Sequence, residues 1–192
     1  MTDAKFKVLL YSDGSHQAFS AAVYTAMLLQ NMPSMYLTVL HIHDRDEVPE
    51  DKEKSWIHTW PISPTTEWVK HVLNDSNIEL QKEYNTILFK TNEIFSNRKY
   101  KIYHEELFSN TRLSEISDTA DLILDYAKRN SFDLIVMGTR GHSNLQGLIF
   151  GSLAHTVLTR STIPVMLIKK LPQEFIDRYM SGTKVVSLRR IK

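Results

Sequence analysis

The stretch that most constrains this chain runs from Leu134 to Ser152. Leu134, Ile135, Val136 and Met137 form a short apolar run, the pattern of a strand covered on both faces. Gly138 and Gly141 follow directly, where a backbone must turn sharply or approach another element closely. Gly151 and Ser152 then precede Leu153-Ala154-His155-Thr156-Val157-Leu158, a predicted helix from about 152 to 161. A helix start presents unpaired N–H groups at the positive end of its dipole, which is the raw material of a phosphate site. Glycines after a strand are also ordinary turn residues, so both readings stand at this point. The Walker pattern requires a Lys after its last Gly, and here Ser152 follows Gly151; G-x-G-x-x-G is absent too. A nucleotide would therefore be held mainly by backbone amides, with Arg140 and His142 as side-chain donors.

Other apolar runs repeat the strand pattern. Phe6 to Tyr11 reads as a first strand ending at Ser12-Asp13-Gly14-Ser15, with Ser15 as N-cap of a helix. Ala18, Ala21, Ala22, Thr25, Ala26 and Leu29 give that helix a face of small residues, which lets it lie close to a sheet. Asn31-Met32-Pro33-Ser34 stops it. Tyr36 to Ile42 reads as a second strand. Residues 44–64, with Trp56, Trp60 and three prolines, read as a loop packed by its aromatics. A long helix is expected from about 66 to 96, then an edge-like strand from Tyr100 to Leu107. A helix capped by Ser117-Asp118 runs through Asn130, with Ala120, Leu124 and Ala127 facing in and Ile123 flanking. Ile163 to Ile168 reads as the fifth strand.

Strands alternating with helices specify an open parallel α/β sheet with right-handed crossovers and helices on both faces. An order of 3-2-1-4-5 puts the polar third strand at an edge and strand one beside strand four. The chain reverses direction there, and open α/β sheets bind ligands at such a switch point. Both glycine-bearing turns follow those two strands.

The 192 residues suit one domain with a full core, and 42% hydrophobic with 23% charged residues is an ordinary globular balance. A formal charge of +1 excludes a broad basic surface for nucleic acid. With no cysteine, disulfides and thiolate metal sites are excluded. The N-terminus has no signal-peptide pattern and no run is long enough to span a bilayer, so a cytoplasmic protein without membrane contact is expected. Asp13 is either near a metal-bridged phosphate or a turn carboxylate capping the Gly14 and Ser15 amides. His41 and His43 share one strand face, and with His16 or His58 could imitate a metal cluster; a core or cleft-edge pair is the simpler reading. Ser15 and Ser152 have no His–acid pair to activate them, so no catalytic residue is assigned.

With these residues placed, the chain resembles the universal stress protein family, in its ATP-binding subclass. Gly138-x-x-Gly141, nine residues, then Gly151-Ser152 matches the subclass pattern G-2x-G-9x-G-[ST]. Ser12-Asp13-Gly14-Ser15, His41-Ile42-His43-Asp44 and Ser161 to Ile168 resemble other family segments, so the likeness covers about 5–43 and 66–169. The resemblance implies the 3-2-1-4-5 sheet of an adenine nucleotide alpha hydrolase-like fold over residues 1–170. It implies ATP with Mg or Mn. Tyr11 and Ser12 would line base and sugar, Asp13 would lie near the ribose or a metal-bridged phosphate, and Ser15 would belong to the same cofactor site. The Ile42 backbone would meet adenine, and Met137 and Gly138 would flank the ribose. Arg140, Gly141, His142, Ser143, Gly151, Ser152 and Leu153 would hold the phosphates. It also implies a homodimer through Val165 to Lys169.

Two segments depart from the family: the 44–64 insertion and a C-terminal extension, 171–192. The extension is expected to hold a short helix from Glu174 to Met180 and a basic strand from Lys184 to Lys192, and to extend or alter the dimer. The resulting expectation is an ATP-binding stress-response or regulatory protein. The alternatives are a slow ATPase or other nucleotide-processing enzyme, and a nucleotide-free dimeric interaction module.

Overall fold

The computed structural model describes residues 5–13, 15–43, 78–109, 116–139 and 150–181. The expected loop at 44–64, the first part of the 66–96 helix and the basic segment from Lys184 onward lie outside the described residues.

The elements are β1 (Phe6–Tyr11), α1 (His16–Asn31), β2 (Met35–His43), α2 (Ile78–Ser96), β3 (Lys101–Phe108), α3 (Ile116–Arg129), β4 (Leu134–Gly138), α4 (Ser152–Arg160), β5 (Val165–Ile168) and α5 (Gln173–Ser181). The strands form one parallel sheet in the order β3-β2-β1-β4-β5, as expected. Strand side chains alternate between the two faces. Val8, Leu10, Leu37, Val39 and Val136 enter a core under α1, α2 and α5. Leu9, Tyr11, Leu40, Ile135 and Met137 enter a second core under α3 and α4. Double coverage explains why β1 and β4 are mostly apolar, with Lys7 near the start of β1 the exception, while β3 at the edge is not.

The small-residue face of α1 is buried as predicted. Ala21, Ala22, Thr25, Ala26 and Leu29 are all 0% exposed. Thr25 satisfies its hydroxyl by donating to the Ala21 carbonyl (2.7 Å), so a polar residue is tolerated within an apolar face. Ser15 caps the helix, its Oγ accepting from the Ala18 N–H (3.1 Å).

Three details differ from the sequence reading. α3 begins at Ile116, so Ser117 and Asp118 lie in its first turn; there Asp118 complements the helix dipole instead of capping. Ile123 is the fully buried residue of α3 and Leu124 only packs against the core, so the inward stripe is Ala120, Ile123 and Ala127. β5 starts at Val165, because Pro164 contributes only its carbonyl, accepting from the Ile135 N–H (2.9 Å). α3 closes on a Schellman turn: the Phe132 N–H donates to Ala127 and the Ser131 N–H to Lys128, with Ser131 at φ 54°.

The extension helix α5 is present and packs within its own chain. Leu171, Ile176 and Tyr179 join the α1 and α2 core. Phe175 stacks on Tyr24 (5.4 Å between centroids), and Lys90 Nζ donates to the Tyr179 carbonyl. The Tyr179 hydroxyl meets Thr91 Oγ1 at 3.1 Å, while Thr91 donates to Ile87. Tyr179 is therefore the donor, and burial pushes its phenol up to about 12, which keeps it protonated. Replacing Tyr179 with Phe leaves a buried Thr91 oxygen short of a donor. Stability to urea should fall by about 1–2 kcal/mol, with the slope of the transition unchanged.

Candidate functional site

The candidate site lies where β1 and β4 run side by side, pairing Val8 with Leu134 through Leu10 with Val136. Each strand ends in a turn, and the two turns are pressed together. A Cβ on Gly138 would sit 2.7 Å from the Gln17 carbonyl carbon and 2.9 Å from the Ala18 nitrogen. Only a residue without a side chain lets the first turn of α1 approach β4 this closely. The first-turn amides of α1 are thereby held over the end of β4.

The β1 turn is ordered by its own polar atoms. Asp13 Oδ1 accepts from the Ser15 N–H (3.0 Å), and the Ser12 N–H donates to the Leu40 carbonyl (3.1 Å). The capping reading of Asp13 is thus realised toward Ser15, with the carboxylate only partly buried at the mouth. Gly14 and the His16 side chain lie outside the described residues. Behind the turn, His41 is 3% exposed and its ring hydrogen-bonds to the Ser12 backbone. Burial, with the neighbouring His43 and His104 rings, pushes the His41 pKa down to about 4. His43 stacks on Phe108 at 5.2 Å. Among the described residues, no group of three or more His, Asp or Glu side chains is arranged to hold a metal, so the histidines read as a buried pair; His58 lies outside them.

The β4 turn is closed by backbone. The Thr139 N–H donates to Ile168 and the Gly151 N–H donates to the Thr139 carbonyl (2.8 Å). The second bond ties the start of α4 to the end of β4. Gly151 is the N-cap of α4 and supplies no side-chain cap. The amides of Ser152 and Leu153 therefore begin a helix whose dipole end is not neutralised by its own capping side chain.

Of the residues predicted for the site, Ser12, Asp13, Ser15, Gly138, Gly151 and Ser152 come together at these two turns. Tyr11 and Met137 bury their side chains in the α3 and α4 core. Burial, and then the charge of Asp13, raises the Tyr11 phenol well above its ordinary value, so it stays neutral. Leu153 and Ile42 pack against the same core. Arg140, Gly141, His142 and Ser143 lie outside the described residues. Sequence reasoning missed Thr139, buried at 5%, whose peptide holds both β5 and Gly151; a backbone role leaves no side-chain signature. It also missed the His41–Ser12 link.

A family model for the universal stress protein family matches residues 70–169, just over half of the chain. The chain belongs to the universal stress protein family. Among curated relatives, the stress response protein NhaX of Bacillus subtilis is 25% identical over 170 residues, spanning 85% of this chain and 97% of that protein. The universal stress protein YxiE of the same organism is 29% identical over 158 residues, spanning 82% and 93%. The universal stress protein UspA from Lactobacillus plantarum superposes with a TM-score of 0.52 at 18% identity, covering 86% of this chain and 99% of that one, and shares the fold. No helix among the described residues is long and apolar enough to cross a membrane.

Two outcomes are expected. Gly138→Ala drives a methyl group into α1 backbone that cannot yield cheaply, and should cost about 1–3 kcal/mol in thermal or urea unfolding. His41 binds a proton more readily unfolded than folded, so stability should decline as pH falls from about 6.5 toward 4. The loss should reach up to about 3 kcal/mol and flatten in His41→Gln, measured as denaturation midpoint against pH.

Proposed function

We propose that the paired turns bind an adenine nucleotide, with ATP carried as its Mg or Mn complex, and that the protein acts as a stress-response or regulatory switch. The observation that carries this reading is the spacing Gly138-x-x-Gly141, nine residues, Gly151-Ser152, set on a strand end and a helix start tied by the Gly151–Thr139 bond. Phosphates would lie against the amides of Ser152 and Leu153, where the helix dipole favours negative charge. Arg140, His142 and Ser143 would add side-chain donors. Asp13 would face the ribose or a metal ion that keeps most of its waters. The metal would neutralise phosphate charge; the chain's part is to orient the nucleotide through backbone groups.

Binding would bias the segment from 140 to 149, and through it a partner surface. Among the described residues none is placed to orient an attacking water, and the reading is a binding protein rather than a fast enzyme. Residues 1–170 would form the nucleotide-binding unit, with 171–192 as an extension whose first helix braces α1 and α2. A homodimer through β5 and Lys169 fits its four half-exposed apolar residues at a sheet edge. A cytoplasmic location completes the reading.

Titration calorimetry with ATP, with and without Mg²⁺, tests it: saturable binding is expected, and its absence under both conditions overturns the proposal. Gly151→Val, which adds a branched side chain at the helix cap, should weaken ATP affinity at least about tenfold while leaving the far-ultraviolet dichroism unchanged. Retained affinity would remove the phosphate site from this turn.

A further inference from the structure

Tyr36 stands near the start of β2, at the opposite end of the sheet from the paired turns. In register it lies between Lys7 of β1 and Lys101 of β3, and partners in a parallel ladder share a face. Lys5, two residues before Lys7, is on that face too. Lys7 is turned to the Asn130 carbonyl and the Phe132 ring. Lys5 and Lys101 are turned to the phenol. The Lys101 Nζ donates to the Tyr36 hydroxyl (2.7 Å) and lies 4.7 Å from the ring centroid; the Lys5 Nζ lies 5.2 Å from the same centroid. Among the described residues, no carboxylate pairs with either ammonium. Two cations from different strands therefore share one phenol. They draw the Tyr36 pKa below its ordinary value, through the Lys101 hydrogen bond first and then the charges of Lys101 and Lys5. The same bond raises Lys101, which stays an ammonium. Tyr36 is partly exposed and both lysines are exposed, so a small molecule reaches the hydroxyl.

We propose that Tyr36 is a nucleophilic modification site that takes an acyl group from an acyl phosphate. The ionised form of a hydroxyl is the one that attacks, and a cation hydrogen-bonded to the oxygen favours that form. The two lysines select the donor. The phosphate of a mixed carboxylic–phosphoric anhydride carries the charge that ammonium groups bind, and each ammonium has further protons to offer. The carbonyl carbon is bonded to one of the phosphate oxygens, so docking the phosphate brings that carbon to the phenol. The carbonyl is uncharged and meets the phenolate without repulsion, whereas attack at phosphorus is opposed by the phosphoryl charge. The phenol gives up its proton to water. The bond from Tyr36 Oη to the carbonyl carbon forms, and the bond from that carbon to the bridging oxygen breaks. Phosphate leaves beside the two ammonium groups and takes up one proton, so the products are an O-acyl tyrosine and inorganic phosphate. This inference does not rest on nucleotide binding, which uses the carboxyl ends of the strands.

Tyr103 is an internal control. It shares the face, is more exposed (58%), and among the described residues has no ammonium hydrogen-bonded to its hydroxyl. Treated with acetyl phosphate near neutral pH, the full chain should gain acetate on Tyr36 at least about tenfold faster than on Tyr103, read by peptide mass spectrometry. Hydroxylamine should remove it, as it removes a phenyl ester and not a lysine amide. Lys101→Met should bring the Tyr36 rate down to that of Tyr103 and move its pH profile upward, and Lys5→Met should do so in smaller measure. Equal rates at the two tyrosines overturn the proposal. So does a phosphoryl group on Tyr36, or acetylation of lysines alone. N-acetylimidazole carries no phosphate, so with it the preference for Tyr36 should shrink at least about threefold. An undiminished preference overturns the assignment of the donor.

Discussion

The contact on which the rest of the structure depends is the one between Gly138 and the first turn of α1. A missing side chain at the end of β4 lets the helix backbone come within a distance that any Cβ would forbid. Several other choices follow from that approach. α1 must present Ala18, Ala21, Ala22 and Ala26 to the sheet, because larger residues would hold it off. Its N-terminus must be satisfied locally, and Ser15 does this through the Ala18 amide. Asp13 then shapes the turn that delivers the chain from β1 into the helix. The crevice is thus a consequence of close packing as much as of the residues that line it.

The same packing sets the electrostatics. Tyr11 and His41 are both buried behind the turns and both kept neutral by that burial, one pushed up and the other down. Tyr11 and His41 make a neutral backing to the Asp13 turn, and the dipole of α4 begins at Ser152 with no capping side chain. Such dipoles favour an anion without requiring a lysine in the turn. On the proposed reading, this is how a chain lacking the Walker lysine would hold an anion at the start of α4.

Much of this was legible in the sequence, and the exceptions have identifiable causes. Strands covered on both faces are apolar over most of their length, so β1, β2 and β4 were placed almost to the residue. The small face of α1 and the N-cap at Ser15 are local features and were also readable. The sheet order came from topology rules and family resemblance together. Contacts made by backbone were not readable: the Thr139 peptide that bonds to Gly151 and Ile168 has no side-chain signature. Gly138 announced a close approach but could not name Gln17 as its neighbour. In α3, adjacent Ile123 and Leu124 compete for one inward position, and the choice is made by rotation against the sheet. For α5 the periodicity gave a helix, yet its partner required Tyr179 and Thr91, 88 residues apart, to meet.

The two sheet edges manage exposure by different physics. β5 is four residues of apolar side chain, half-buried, with the chain leaving immediately toward α5. Its protection is brevity. β3 is eight residues long and cannot be short, because it must span the whole of β2 to keep Ile102 and Leu107 against their cores. It is protected instead by charge, with Lys101, Glu105 and Glu106 distributed along it. Charge blocks indiscriminate pairing, since most registers and most foreign strands set like charges or apolar groups against these residues. It does not block a strand with the reverse pattern at the same spacing.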